Sequence, residues 1–143
     1  MKLTRDTGAA LMAVAAIVIV VGLGFWKTRG PGSQRLIRAD EKRIQSIGQL
    51  AGQINYYFGQ HSQKLPASLN EEQKQASRDP LTGRPLEYTA SAGSKFTLCT
   101  DFSTQSPEDY KNIPYEFWQH PQGHKCFEFE AGGTIPQVPY FYY

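Results

Sequence analysis

The sequence predicts an α+β chain: an N-terminal transmembrane helix, then an amphipathic helix packed on a small antiparallel sheet. Three observations predict it. Residues 8–26 contain no charged side chain, apolar side chains recur at three- and four-residue spacing through 34–58, and short stretches after Pro85 alternate apolar with polar side chains.

The uncharged run comes first because it sets the location of everything else. A helix of roughly 19 residues spans about 28 Å, close to the hydrocarbon thickness of a bilayer. A short head with Lys2 and Arg5 precedes it, and Phe25, Trp26, Lys27 and Arg29 close it with the aromatic and basic side chains that suit the headgroup layer. The stretch exceeds an ordinary signal-peptide core and is followed by large Phe and Trp, which favours an uncleaved anchor over cleavage at Gly22-Leu23-Gly24. No Cys lies near it, so a lipoprotein anchor is excluded.

The whole chain has 143 residues, a formal charge of +2 and 40% hydrophobic residues. Without the apolar run, roughly 115 residues remain, enough for one modest core and too few for a Rossmann domain, a kinase or a (β/α)8 barrel. Lys and Arg are interleaved with Asp and Glu, so no basic face is offered to nucleic acid.

Gly30-Pro31-Gly32-Ser33 is a cluster of helix breakers, so the membrane helix should end or hinge there. The next helix is expected over 34–58, with Ile44, Ile47, Ala51, Ile54 and Phe58 as its apolar stripe, widened by Leu50 and Tyr57. Asp40, Lys42, Arg43, Gln45, Gln49 and Gln53 fall largely on its other faces. Gly48 and Gly52 suggest close approach of another element. A turn over 59–64 leads to a short helix that Ser68 would cap, with Glu71 three residues on in the spacing of a capping box. Residues 79–85 read as a turn, and strands are expected over 86–89, 95–101 and 125–130. The organisation is therefore a head over 1–7, a transmembrane helix over 8–26, a hinge linker over 27–33, a folded domain over 34–134 and a Pro/aromatic tail over 135–143.

The chain holds 2 Cys, with no CxxC and no zinc-like set of four ligands. They read as one disulfide, Cys99–Cys126, in an oxidising compartment. This places the C-terminal domain outside the cytoplasm and the N-terminus inside.

The order of signals resembles the pseudopilin-like proteins of bacteria. It comprises a membrane helix, a helix ending in Tyr56-Tyr57, Leu65-Pro66-x-Ser68-Leu69, Asp79-Pro80-x-Thr82-Gly83-x-Pro85-x-Glu87-Tyr88 and a strand at Phe96-Thr97-Leu98-Cys99. The major pseudopilin of type II secretion similarly runs from a helix through a Tyr and an Asp-Pro turn into a small sheet. The likeness covers roughly residues 40–102. It is closer still to a branch of bacterial single-span proteins that add a sheet Cys and a later segment, here Trp118, His120, Gly123, Cys126 and Phe127. The resemblance implies a pseudopilin-like domain in the periplasm, held by the bacterial inner membrane. Two positions depart from the prepilin pattern: Ala9 follows Gly8, and Ala13 stands where processed prepilins carry a Glu.

Candidate chemistry is sparse. His120, His124 and Cys126 could supply metal ligands, but Pro121 and Gly123 break the helical spacing and Cys126 is better used in a disulfide. Asp101, Glu108 and Asp109 could hold calcium, as type II major pseudopilins do in a nearby loop, but a solvated acidic loop is the preferred reading. No GxSxG, P-loop or positioned Ser-His pair is present. No enzymatic activity, cofactor, metal or small-molecule substrate is therefore expected.

The expected role is structural: an accessory subunit of a larger membrane complex, with other integral membrane subunits and the lipid bilayer as partners. Contacts to those subunits are assigned to the small residues Gly8, Ala9, Ala13, Ala16 and Gly24 and to the terminal aromatics Tyr140, Phe141, Tyr142 and Tyr143, with a strap folded back over the domain's own core as the other reading of the tail. One alternative is a pseudopilin processed at Gly8 that polymerises in a type II secretion or type IV pilus-like system. Another is a periplasmic ligand- or calcium-binding sensor.

Overall fold

A computed structural model describes residues 5–27, 31–111 and 114–140. The chain divides into two compact units, Met1–Arg35 and Leu36–Tyr143. The first holds helix α1, Arg5–Lys27, in which Ala and Leu favour the helix and the apolar side chains form no amphipathic stripe. Helix α2, Pro31–Gln60, starts earlier than the sequence suggested. Pro31 is a good first helical residue, since its fixed φ suits the helix and its missing N–H would have had no partner there. The expected linker over 27–33 is accordingly shorter, with Lys27 inside α1 and Pro31, Gly32 and Ser33 inside α2.

Ile44, Ile47, Leu50, Ala51, Ile54 and Phe58 form the buried stripe of α2. The helix closes where the Gln63 N–H donates to the Phe58 carbonyl at 3.1 Å, with Ser62 and Gln63 at positive φ. The short helix α3, Glu71–Ala76, is capped differently from expectation: the Asn70 side chain accepts from the Gln73 N–H while Gln73 Oε1 accepts from the Asn70 N–H. Asn70-x-x-Gln73 meets the capping-box pattern two residues later than Ser68-x-x-Glu71.

Strands β1, Glu87–Ala90, β2, Lys95–Phe102, and β3, Gly123–Glu130, make an antiparallel sheet in the order β1-β2-β3. Alternation sorts the two faces. Phe96, Leu98 and Phe102 of β2 and Phe127 and Phe129 of β3 are buried with the α2 stripe in one core. Glu128 and Glu130 of β3 point to water. The segment between β2 and β3 makes two 3-10 turns, Glu108–Lys111 and Glu116–Trp118, and the second delivers Trp118 into the core with no exposed surface.

Asp40 and Arg43 correct the sequence reading of α2. They are not on a solvated face but are 4% and 3% exposed. Arg43 bonds both Asp40 and Asp79 and donates to Ser103 Oγ at 2.7 Å. Asp40 accepts from the Ser103 and Thr104 N–H groups at 2.8 and 2.7 Å. Asp79 accepts from the Leu81 and Thr82 N–H groups at 2.9 and 2.6 Å. A buried charge cluster thus ties α2 to the turn before β1 and to the turn after β2, with its lone pairs met by backbone donors.

Candidate functional surfaces

Three regions of the two units carry side chains that the core does not absorb: helix α1, the C-terminal tail and the outer face of the sheet. On α1, Ala9, Ala13, Ala16 and Gly24 are exposed and Gly8 is half-buried. The large apolar residues between them, from Leu11 to Leu23, are 50% to 72% exposed and lie all round the helix. Side chains in α1 are described as far as Gly24, and among the described residues no helix is long and apolar enough to cross a membrane.

Of the two readings of the tail, residues 135–139 follow the strap. Ile135 and Val138 pack against the core, Pro139 is buried, and the Trp118 indole N–H donates to the Gln137 carbonyl at 2.7 Å. A buried indole needs such an acceptor, and the tail supplies it. Asn55 of α2 fixes the chain at the exit from β3: its Nδ2 donates to the Gly133 carbonyl at 3.1 Å and its Oδ1 accepts from the Gly132 N–H at 2.6 Å. Residues 135–139 are therefore a strap over their own domain. Tyr140 emerges from it 70% exposed; Phe141, Tyr142 and Tyr143 lie outside the described residues.

The sheet places Cys99 directly opposite Cys126, Cα atoms 4.0 Å apart, and the two are joined as a disulfide. Asp101 stands opposite His124 in the same register. On this outer face His124 Nδ1 is 3.1 Å from Asp101 Oδ1, and His124 Nε2 is 3.6 Å from Cys126 Sγ. His120, which the sequence grouped with His124, is turned inward: it is buried, its ring stacks on Phe102 at 3.6 Å between centroids, and burial pulls its pKa down. The acidic trio is also divided, since Asp101 faces His124 and Glu108 binds Lys111.

The Asp101–His124 pair was missed by the sequence reading, although a signal existed. Once Cys99 and Cys126 are taken as opposed residues of antiparallel strands, the register makes His124 the partner of Asp101 on the same face. The ligand atoms of Cys99, His124 and Cys126 lie within 4.8 Å of one another. No family model, curated protein or solved structure matches the chain.

Proposed function

We propose that the protein is a non-enzymatic, single-pass protein of the bacterial inner membrane, its pseudopilin-like domain in the periplasm, serving as a structural or accessory subunit of a larger membrane complex. The observation that carries this reading is α1: an uncharged run over 8–26 whose Leu, Ile, Val and Met side chains are exposed on every side of the helix. Such a surface is stable only against lipid or other apolar helices. Phe25, Trp26, Lys27 and Arg29 at its end support a bilayer boundary there. The Cys99–Cys126 disulfide supports an oxidising compartment for the folded unit.

Small side chains on α1, with Ala9, Ala13 and Ala16 exposed, suit close packing against a neighbouring span. The pseudopilin likeness is supported by the sequence of elements, a long helix whose second half covers a small antiparallel sheet.

The test is extraction and topology. Membranes from expressing cells should retain the chain through an alkaline carbonate wash, and external protease should reach the folded unit only after the outer membrane is opened. Mild detergent should release it in a particle larger than the monomer. Recovery of the chain in the carbonate supernatant overturns the anchor, and a monomer in mild detergent overturns the subunit role.

A further inference from the structure

We propose that reduction of the Cys99–Cys126 disulfide converts the outer face of β2 and β3 into a binding site for a zinc-class divalent cation, with Cys99 Sγ, Cys126 Sγ and His124 Nε2 as ligands. Zinc takes thiolate and imidazole ligands tetrahedrally at about 2.3 and 2.0–2.1 Å. Tetrahedral angles at those lengths put a sulfur and a nitrogen ligand about 3.6 Å apart. His124 Nε2 and Cys126 Sγ already stand 3.6 Å apart. Metal-binding imidazoles ordinarily give their second nitrogen to a carboxylate, which fixes the tautomer and the ring orientation. His124 Nδ1 has that carboxylate in place, Asp101 Oδ1 at 3.1 Å. The backbone needs no rearrangement, because the antiparallel register holds both cysteines and both members of the Asp101–His124 pair side by side. The fourth position faces solvent beside Cys126 and His124, which are exposed, and water can fill it.

The chemistry balances with a dithiol as reductant. A thiolate of the dithiol attacks Cys126 Sγ, the sulfur of the exposed cysteine, and the bond to Cys99 breaks with Cys99 leaving as thiolate. The second thiol of the reductant then attacks its own mixed disulfide and expels Cys126. The reductant becomes a disulfide; its remaining proton and the one released to solvent when its thiolate formed end on the two cysteines. Binding of the cation releases both protons to solvent. Oxidation by a disulfide runs the exchange backwards, restores the Cys99–Cys126 bond and expels the ion.

The experiment is equilibrium dialysis of the full chain in mild detergent against zinc, with and without prior reduction, followed by cobalt(II) as a spectroscopic probe. The reduced chain should take up one equivalent of zinc and the oxidised chain none. Cobalt should give the thiolate charge-transfer and tetrahedral d–d bands. Asp101→Asn should weaken zinc binding by about 10- to 100-fold, and His124→Ala by at least as much. A reduced chain that binds no zinc overturns the proposal, as does equal uptake by the oxidised chain. Near-UV circular dichroism covers the case in which reduction loosens the domain: zinc should then restore the native spectrum. Zinc bound to a chain that stays unfolded, with affinity indifferent to Asp101→Asn and His124→Ala, would mark ordinary thiol binding and overturn the site.

Discussion

Val138 lies so close to Gly48 that a Cβ on residue 48 would come within 2.4 Å of Val138 Cγ2. Gly48 is thus the place where α2 admits the C-terminal strap. Gly52, four residues on, has no such neighbour within 4 Å. Gly48→Ala should therefore destabilise the domain, although Ala in a helix interior ordinarily gains about 1 kcal/mol over Gly. The overlap with a stiff branched side chain costs about 1–3 kcal/mol, so a net loss is expected. Adding Val138→Ala should recover part of it, and a double-mutant cycle of thermal midpoints measures the coupling. Gly52→Ala should be neutral or stabilising.

Truncation separates the strap from the terminal aromatics. Removing residues 137–143 takes away Val138 and the carbonyl that accepts from the Trp118 indole at 2.7 Å, opening the core around a fully buried ring. A loss of about 2–4 kcal/mol is expected from the lost packing and the lost acceptor. For a folded unit of this size that lowers the melting temperature by roughly 10 °C or more. Removing only 140–143 keeps Val138 and the Gln137 carbonyl in place. With the thermal midpoint of that shorter chain as the control, loosening of a membrane complex at an unchanged midpoint reports docking by the aromatics and not unfolding.

How much of this was legible follows from which interactions are local. The α2 stripe, the sheet faces and the Cys99–Cys126 bridge could be read from periodicity and cysteine count, because spacing alone decides which side chains share a face. Asp40 and Arg43 could not, because polar residues on a helix default to the solvated side and their partners Asp79, Ser103 and Thr104 come from distant turns. The strap was one of two readings that the tail's prolines and aromatics left open, and the sequence could not choose between them for a similar reason: the acceptor for Trp118 and the gap at Gly48 exist only after folding. Ser68 lost to Asn70 as the cap of α3 by a shift of two residues, within the ordinary uncertainty of a helix boundary.

Asp79 makes the domain acid-sensitive in a definite window. Burial alone would raise its pKa, but the bond from Arg43 and the N–H groups of Thr82 and Leu81 outweigh it and hold the carboxyl at about 2, against an ordinary 3.8. A carboxylate whose folded pKa is depressed stabilises fully above its unfolded pKa and loses that contribution as pH falls through the folded one. About 2 kcal/mol should therefore disappear between pH 3.8 and about 2. Asp79→Asn should cost about 2–3 kcal/mol near neutral pH, since it removes the charge facing Arg43 and leaves that guanidinium to Asp40. Denaturant unfolding of wild type and variant across pH should show the two curves converging at the acid end.

His120 predicts a second, milder loss at higher pH. Its ring stacks on Phe102 with centroids 3.6 Å apart, and burial is the largest influence on it, pulling its pKa below the ordinary 6.5. Asp40 and the carbonyl of Pro121 pull the other way, and Lys125 adds to the lowering, but burial prevails. Because the folded state resists protonation, the unfolded chain takes up the proton first as pH falls. Stability therefore declines from about pH 6.5 downward, before Asp79 begins to titrate. His120→Phe keeps an aromatic ring on Phe102 and removes the titrating group. The variant should stay level in stability from pH 7 to 5 where the wild type falls. A decline of equal slope in both would place the sensitivity elsewhere, and histidine proton resonances followed through the same range would then identify the group that carries it.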